Sequence, residues 1–217
     1  AEVMAAPGNP GMDCECFDVD ATDVAGISAL CGRIKPDLVV VGPEDPLVLG
    51  LGDRLRSEGF AVFGPNADGA RLEAIKAFSK EQMLDAGEPT AHSATFSDAE
   101  AALLYATSRF DDGLQVVVKA SGNALGKGVI ICHTLDEAED AIGAMLVENS
   151  FGEAGQTIVI EDRLVGREFS LLSIVSGRNV CSLPIAQDYK RALDGDRGPN
   201  TGGMGTYSPC DWVSKEL

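Results

Sequence analysis

A chain of 217 residues can bury a substantial core and is long enough for more than one folding unit. Its 34 acidic against 17 basic side chains leave a net charge of −17, which disfavours nucleic acid and anionic membrane surfaces as partners. Its apolar runs fall far short of a membrane span. The six cysteines (14, 16, 31, 132, 181 and 210) form no C-x-x-C pair, and Cys14-x-Cys16 has no histidine nearby. Reduced thiols in a cytoplasmic protein are therefore expected, not a zinc site or a disulfide scaffold. The chain opens on Ala1-Glu2-Val3-Met4 without a basic and apolar leader, and the absence of a first methionine leads us to expect residues upstream.

Residues 1–65 alternate short apolar runs with helical spacing, which predicts a parallel sheet. Residues 2–6 and 16–19 read as strands, separated by Pro7-Gly8-Asn9-Pro10-Gly11. Val24, Ile27, Cys31 and Ile34 mark one face of a helix that stops before Pro36. Residues 37–41 form a short run typical of a buried parallel strand. Asp45 is a candidate N-cap with Pro46 at the first helical position. Leu47, Leu51 and Leu55 line one face of the helix that follows, Gly59 stops it, and residues 60–63 are the next strand. Ligands of such sheets sit beyond strand C-terminal ends, where Gly42, Pro43 and Glu44 lie. The same residues also suit a plain turn, and both readings stay open.

Gly64-Pro65-Asn66 marks a boundary, giving an N-terminal α/β domain over 1–65 and a second domain over 66–217. Leu72, Ile75 and Phe78 define a helical face, and Lys76, off that stripe, reads by itself as a solvated helix lysine. Gly87 and Pro89 end the element. Ser97-Asp98-Ala99-Glu100 reads as a capping box, followed by a face of Ala101, Leu104, Tyr105 and Ser108.

The most informative stretch comes next. Val116-Val117-Val118-Lys119 is a β-branched run ending in a lysine, the loop 120–127 follows, and Val129-Ile130-Ile131-Cys132 is a second run. This reads as a hairpin with a long tip. Alternation places Gln115, Val117 and Lys119 on one face and Val116 and Val118 on the other. A lysine ending a buried run is costly unless an anion meets it. The N–H groups of Gly122, Gly126 and Gly128, with the ammonium of Lys127, suit a polyphosphate. A Walker loop is excluded, because three residues and not four separate Gly122 from Gly126, and Gly128 stands where Ser or Thr is needed.

Thr134-Leu135-Asp136-Glu137 is a further capping box, with Ala138, Ala141, Ile142, Met145 and Leu146 as the buried face, and 151–155 reads as a loop. Residues 157–161 form a strand ending in Glu161, and after Gly166 another strand runs over 168–175. Residues 115–175 thus read as a small antiparallel sheet backed by a helix. Glu161 and Glu168 flank its last turn, and each could equally be a strand-end residue facing water. Five glycines between 195 and 205, interleaved with Asp, Arg, Asn and Thr, do not describe a Gly/Ser spacer. They read as a loop that brings its backbone against a polar, anionic substrate. No strand or helix pattern closes the chain after 208, so the fold reads as unfinished.

Val117-Val118-Lys119-Ala120-Ser121-Gly122 with Gly126-Lys127-Gly128-Val129, Ile160-Glu161 and Gly166-Arg167-Glu168-Phe169-Ser170 resemble the nucleotide-binding lid of ATP-grasp enzymes. Gly42-Pro43-Glu44, Gln187-Asp188-Tyr189-Lys190-Arg191 and Gly198-Pro199-Asn200-Thr201-Gly202-Gly203-Met204-Gly205 narrow the likeness to the phosphoribosylamine–glycine ligase (glycinamide ribonucleotide synthetase) family, from about residue 7 to residue 209. The lid motifs are common to the superfamily, whereas the Pro-Asn-Thr-Gly-Gly-Met-Gly loop is much more specific. Tyr189 stands where the family usually has histidine, and Asp162-Arg163 where a second glutamate and an aromatic are common.

The resemblance implies a parallel-sheet N-terminal domain followed by an ATP-grasp domain truncated at its C-terminus, with the lid at about 115–175. It also implies an internal fragment, with a first strand and glycine-rich loop ahead of residue 7 and the rest of the core beyond Leu217. The implied reaction joins glycine to 5-phosphoribosylamine through a glycyl phosphate, with ATP and Mg2+ or Mn2+, in purine synthesis. Lys76 and Lys119 would meet the ATP phosphates, and Gly122, Gly126, Lys127 and Gly128 would close over them. Glu161 and Leu164 would lie at the adenine and Glu168 at the ribose hydroxyls. Asp188, Lys190, Asn200, Thr201, Gly202, Gly203 and Met204, with Gly42, Pro43 and Glu44, would hold glycine or the amine. Metal ligands are expected beyond Leu217, and no general base stands out. A monomer or weak dimer with small-molecule partners is expected. Another ATP-grasp carboxylate–amine ligase, a nucleotide-binding module without turnover, and a folded fragment that binds nothing remain as alternatives.

Overall fold

The computed structural model describes residues 1–124, 128–195 and 197–214. Strand β1 (Met4–Ala5) pairs in parallel with β2 (Glu15–Cys16), and helix α1 (Val24–Ile34) follows, capped by the Asp23 carboxylate on the Gly26 N–H at 2.8 Å. Strand β3 (Val39–Val40) is followed by α2 (Glu44–Val48) and α3 (Leu51–Ser57), and β4 (Val62–Phe63) returns to pair in parallel with β3. The predicted parallel sheet is therefore present as two separate pairs. A cavity of about 710 Å³ lies against both, lined by Val3 and Ala5 on one side and Val39 and Val41 on the other.

Two local expectations are corrected here. Pro43, not Asp45, precedes the first helical residue, so Glu44 and Asp45 occupy the first turn of α2, where the helix dipole favours acidic groups. Pro46 is then the third helical residue, still among the N–H positions that have no partner within the helix. The expected single helix breaks at Gly50, whose φ of +86° is open to glycine, and resumes as α3. Leu47, Leu51 and Leu55 nevertheless all enter one core with Ile27, Cys31 and Val41, because both short helices turn their leucines inward.

Helix α4 (Ala67–Ala74), capped by the Asn66 side chain, buries Ala70 in that same core, and α5 (Lys76–Ala86) follows it. The expected face of Leu72, Ile75 and Phe78 is not a buried stripe: the backbone turns extended at Ile75, Leu72 and Ile75 are exposed, and Ala70 is the buried residue of α4. Strand β5 (Ser93–Phe96), not foreseen from the sequence, leads to α6 (Ala99–Asp111). Asp98, one residue later than Ser97, caps α6 through the Ala101 N–H at 2.8 Å. The buried face of α6 is accordingly Ala102 and Ala106, with Leu104 exposed, and two alanines let the helix lie close to the sheet.

Strands β6 (Val116–Ala120) and β7 (Val129–Cys132) form the predicted hairpin, with Val116 opposite Cys132 and Lys119 opposite Val129. Helix α7 (Leu135–Ile142) is capped by Thr134 and continues as a π-helical turn over Gly143–Val147. Strand β8 (Ile158–Asp162) completes an antiparallel sheet in the order β5-β8-β6-β7. Val116, Val118, Ala120, Ile158 and Ile160 face α6 and α7 and pack with Ala138, Ala141, Ile142 and Met145. Val159, Glu161 and Lys119 share the opposite face, toward α5.

The strand expected over 168–175 does not join this sheet; β5 occupies that edge. Strand β9 (Ser173–Ser176) pairs instead with β10 (Asn179–Ser182) in an exposed hairpin. Strand β11 (Gln187–Asp188), β12 (Arg191–Leu193), β13 (Arg197–Asn200) and β14 (Thr206–Tyr207) follow, paired antiparallel as β11 with β14 and β12 with β13. All six cysteines are free, and burial pushes the Cys132 thiol up to about 11. Met145 is fully buried where α7 meets the sheet. Met145→Ala should lower the unfolding free energy by about 2–5 kcal/mol in urea titrations, through lost burial and the cavity left behind.

Candidate functional site

Helix α5 begins at Lys76, and Ile75 before it has no side chain able to cap. The missing acceptors come from the end of β6. The Ser121 carbonyl accepts from the Lys76 N–H at 2.7 Å, and the Ser121 hydroxyl accepts from the Ala77 N–H at 3.1 Å, 44 positions away in sequence. Ser121 is buried, so the helix start is fixed against the glycine-bearing loop. Lys76 is consequently half-buried, and its Nζ donates to the Gly122 carbonyl at 3.2 Å. Its ammonium is held below the ordinary lysine value, first by burial and also by the charge of Lys119, with Glu73 opposing. The expectation of a plain solvated lysine is corrected, because its surroundings come from Ser121 and Gly122 rather than from its own helix.

The loop between β6 and β7 starts against the turn at 152–155. The Gly122 N–H donates to the Ala154 carbonyl at 3.1 Å, and a Cβ on Gly122 would stand 2.7 Å from the Ala154 Cα. Gly128 is buried and its carbonyl accepts from the Ala120 N–H at 2.8 Å. Gly126 and Lys127 lie outside the described residues. Asn123 donates from Nδ2 to Asp45 Oδ1 at 2.7 Å, so the loop also meets the start of α2. Gly42, Pro43 and Glu44, just before that contact, are exposed.

Glu161 does not face water. It is only 6% exposed, and each of its carboxylate oxygens has its own ammonium: Lys119 on Oε1 and Lys80, at 2.8 Å, on Oε2. Burial pushes its carboxyl up, but the hydrogen bonds and charges of Lys119 and Lys80 outweigh it and hold the group below the ordinary value. Lys119 therefore meets the anion that its position demanded, and that anion is a strand neighbour. Lys80, which sequence reasoning passed over, also donates to Thr90 Oγ1 at 2.5 Å and to the Ala91 carbonyl at 3.3 Å. The available signal was its place one helical turn after Lys76 on α5. Lys80 and Lys119 thus meet one buried carboxylate, and Lys76, whose ammonium feels the charge of Lys119, adds to a surplus of positive charge that fits a polyphosphate.

A second group forms around Lys190. Its Nζ lies 3.7 Å from Asp188 Oδ2 and 3.8 Å from Glu168 Oε2. The glycine-rich loop is clamped along this strand: the Tyr189 N–H donates to the Gly205 carbonyl at 2.9 Å, and the Met204 N–H to the Tyr189 carbonyl at 2.7 Å. The Thr201 N–H and hydroxyl both reach the Lys190 carbonyl, at 2.6 and 3.0 Å, and the Gly203 N–H donates to the Thr201 hydroxyl at 3.1 Å. Asn200 pairs opposite Arg191, while Gly202, Gly203 and Met204 are exposed at the tip. Arg167 stacks over Trp212 at 3.9 Å, and the indole N–H donates to Gln187 Oε1 at 3.2 Å, which ties the Glu168 turn to the same strand. Leu164 is exposed beyond the end of β8 and belongs to neither group. Among the described residues no group of three or more His, Cys, Asp or Glu could hold a metal ion.

Comparison with known proteins decides the family. Residues 1–73 match the family model of the phosphoribosylglycinamide synthetase N domain, and residues 74–217 that of its ATP-grasp (A) domain. The chain belongs to the phosphoribosylglycinamide synthetase family. It is 47% identical over 221 residues to a phosphoribosylamine–glycine ligase of Xanthomonas axonopodis pv. citri, and 44% identical over 220 residues to that of Yersinia pestis. Each match covers 100% of this chain and 51% of the relative, so the chain spans about half the length of these relatives. The crystal structure of phosphoribosylamine–glycine ligase from Thermotoga maritima superposes with a TM-score of 0.78 at 30% identity, over 97% of this chain and 50% of that one. D-alanyl-alanine synthetase A of Vibrio cholerae, at 16% identity and a TM-score of 0.64, shares the fold.

An ATP-grasp domain of the phosphoribosylglycinamide synthetase family implies ATP and a divalent metal ion as cofactors. No helix among the described residues is long and apolar enough to cross a membrane. Two outcomes follow from the geometry of the lysine group. Because Glu161 has a lower pKa folded than its ordinary 4.5, the unfolded chain binds more protons between the two values. Its contribution to stability is therefore full above about pH 5 and lost as pH falls through the folded pKa. Urea midpoints measured downward from about pH 5 should decline, and Glu161→Gln should flatten part of that decline. Gly122→Ala should displace the loop from Ala154 and weaken ATP binding by about tenfold or more, read by calorimetry, with the far-UV spectrum unchanged.

Proposed function

We propose that this chain forms the nucleotide and amino-substrate sites of an ATP-dependent ligase that joins glycine to 5-phosphoribosylamine, giving glycinamide ribonucleotide, ADP and phosphate. The observation that carries the reading is the pairing of two features in one chain. Two lysines, Lys80 and Lys119, meet a buried carboxylate beside a glycine loop whose Gly122 carbonyl holds Lys76, and the Pro199-Asn200-Thr201-Gly202-Gly203-Met204 loop is clamped over Asp188 and Lys190. The relatives named phosphoribosylamine–glycine ligase support the choice of substrates.

Glycine's carboxylate is a poor electrophile, and ATP supplies the phosphoryl group that converts one of its oxygens into a leaving group. The protein has to place the partners, offset phosphate charge and exclude water. Lys76 and Lys119 take the phosphates, with the loop holding Gly122, Gly126, Lys127 and Gly128 over them. Glu161 and Leu164 border the adenine through their backbone, and Glu168 accepts from the ribose hydroxyls once Lys190 turns to substrate. Asp188 and Lys190, with residues 200–204 and the turn at Gly42, Pro43 and Glu44, hold glycine and the amine. Mg2+ or Mn2+ is the divalent ion, bound by residues outside this chain. The reading further assigns residues 1–65 to an N-terminal domain and 66–217 to the ATP-grasp domain of a cytoplasmic enzyme, monomeric or weakly dimeric.

The test is ADP release with glycine and phosphoribosylamine omitted in turn, run on this chain and on the full-length protein. Release that needs both substrates supports the ligase; release indifferent to glycine points to a different ATP-grasp reaction. Lys119→Ala should raise the ATP concentration for half-maximal rate by at least about tenfold. An unchanged ATP requirement would remove Lys119 from the phosphate site.

A further inference from the structure

Lys80 stands in the middle of the lysine group yet is not open to a ligand. Its side chain is 13% exposed, and its three ammonium protons have three acceptors, Glu161, Thr90 and Ala91. Lys119, on the other oxygen of the same carboxylate, is 28% exposed and ends the strand that leads into the glycine loop. The two lysines share Glu161 unequally, one wholly spent on the protein and the other facing outward.

We propose that Lys80 is a positioning residue for the nucleotide site: by holding Glu161 Oε2 it confines the carboxylate so that Lys119 is aimed by Oε1 and keeps charge available for a phosphate. With Lys80 present, two ammonium groups face one carboxylate and the trio carries one net positive charge. Without it, Glu161 and Lys119 become a neutral buried pair, and the phosphate site loses a unit of charge where screening is weak. The geometry of α5 supports the assignment. Its first residue, Lys76, is pinned by Ser121 and its next turn carries Lys80, so one helix sets both cations relative to β6 and β8. Thr90 and Ala91 anchor Lys80 from the segment before β5, which makes its position independent of any ligand.

The inference rests on the reading of Lys119 as a phosphate contact, and the experiment separates the two. Dissociation constants for ADP and for adenosine are measured by calorimetry on the unsubstituted chain, Lys80→Met, Lys80→Arg, Glu161→Gln, Lys80→Met/Glu161→Gln and Lys119→Ala, each checked for native circular dichroism. Lys80→Met should weaken ADP about tenfold while leaving adenosine within about twofold, since only the phosphates sense the lost charge. Lys80→Arg should retain ADP affinity. Adding Glu161→Gln to Lys80→Met should recover most of it by freeing Lys119, which a mere packing role for Lys80 does not allow. Equal weakening of ADP and adenosine, no weakening, or no recovery in the double variant overturns the proposal. If Lys80→Met does not fold, the double variant is compared with the unsubstituted chain: ADP affinities within about threefold are expected, because Lys119 beside the neutral amide of Glu161→Gln leaves the same single net positive charge, and a loss of about tenfold overturns it. Unchanged ADP affinity in Lys119→Ala, or no ADP binding by the unsubstituted chain, overturns the phosphate reading and this inference with it. A loss in Lys119→Ala alone overturns only the inference.

Discussion

A carboxylate buried inside a sheet is tolerable only where cations meet it, and Glu161 imposes that condition on everything around it. It lies on the central strand of the four-stranded sheet, between β5 and β6. Lys119 answers from β6 and Lys80 from α5, so sheet and helix are locked around one charge. Removing either lysine leaves the carboxylate with a single cationic partner, so each lysine is needed to hold one of its two oxygens. The useful consequence is the excess of ammonium groups over carboxylates at the mouth of a glycine loop.

The rest of the chain extends this arrangement outward by single polar contacts. Ser121 supplies the cap that α5 lacks and so brings Lys76 to the same place. Asn123 bonds Asp45, connecting the loop to the first turn of α2 and hence to the leucine core of the N-terminal unit. On the other side, Arg167, Trp212 and Gln187 fasten the turn that carries Glu168 to the strand that carries Asp188. The apolar cores hold the elements in register; these few bonds decide which charged groups look at one another.

How much of this was legible in the sequence depended on the range of the cause. The β6–β7 hairpin and the α7 face were readable because alternation and helical spacing are local and strongly apolar. The buried face of α6 was misplaced because alanines carry a weak hydrophobic signal, and the prominent Leu104 turned out to be exposed. Strand β5, Ser-Ala-Thr-Phe, has no apolar run of its own and exists because β8 pairs with it. Lys76 looked solvated because Ser121 and Gly122, which bury it, are distant in sequence. Glu161 and Lys119 were each singled out as strand-end charges, yet their mutual pairing needed the register of β6 against β8. The break at Gly50 was hidden by leucines whose spacing remains helical across it.

The most direct test of the central claim is a crystal structure of the chain with a non-hydrolysable ATP analogue bound. The account predicts phosphate oxygens within about 3 Å of the ammonium groups of Lys76 and Lys119, with Lys80 still on Glu161, Thr90 and Ala91. Phosphates bound away from both lysines, or Lys80 drawn off Glu161 onto the nucleotide, would contradict it.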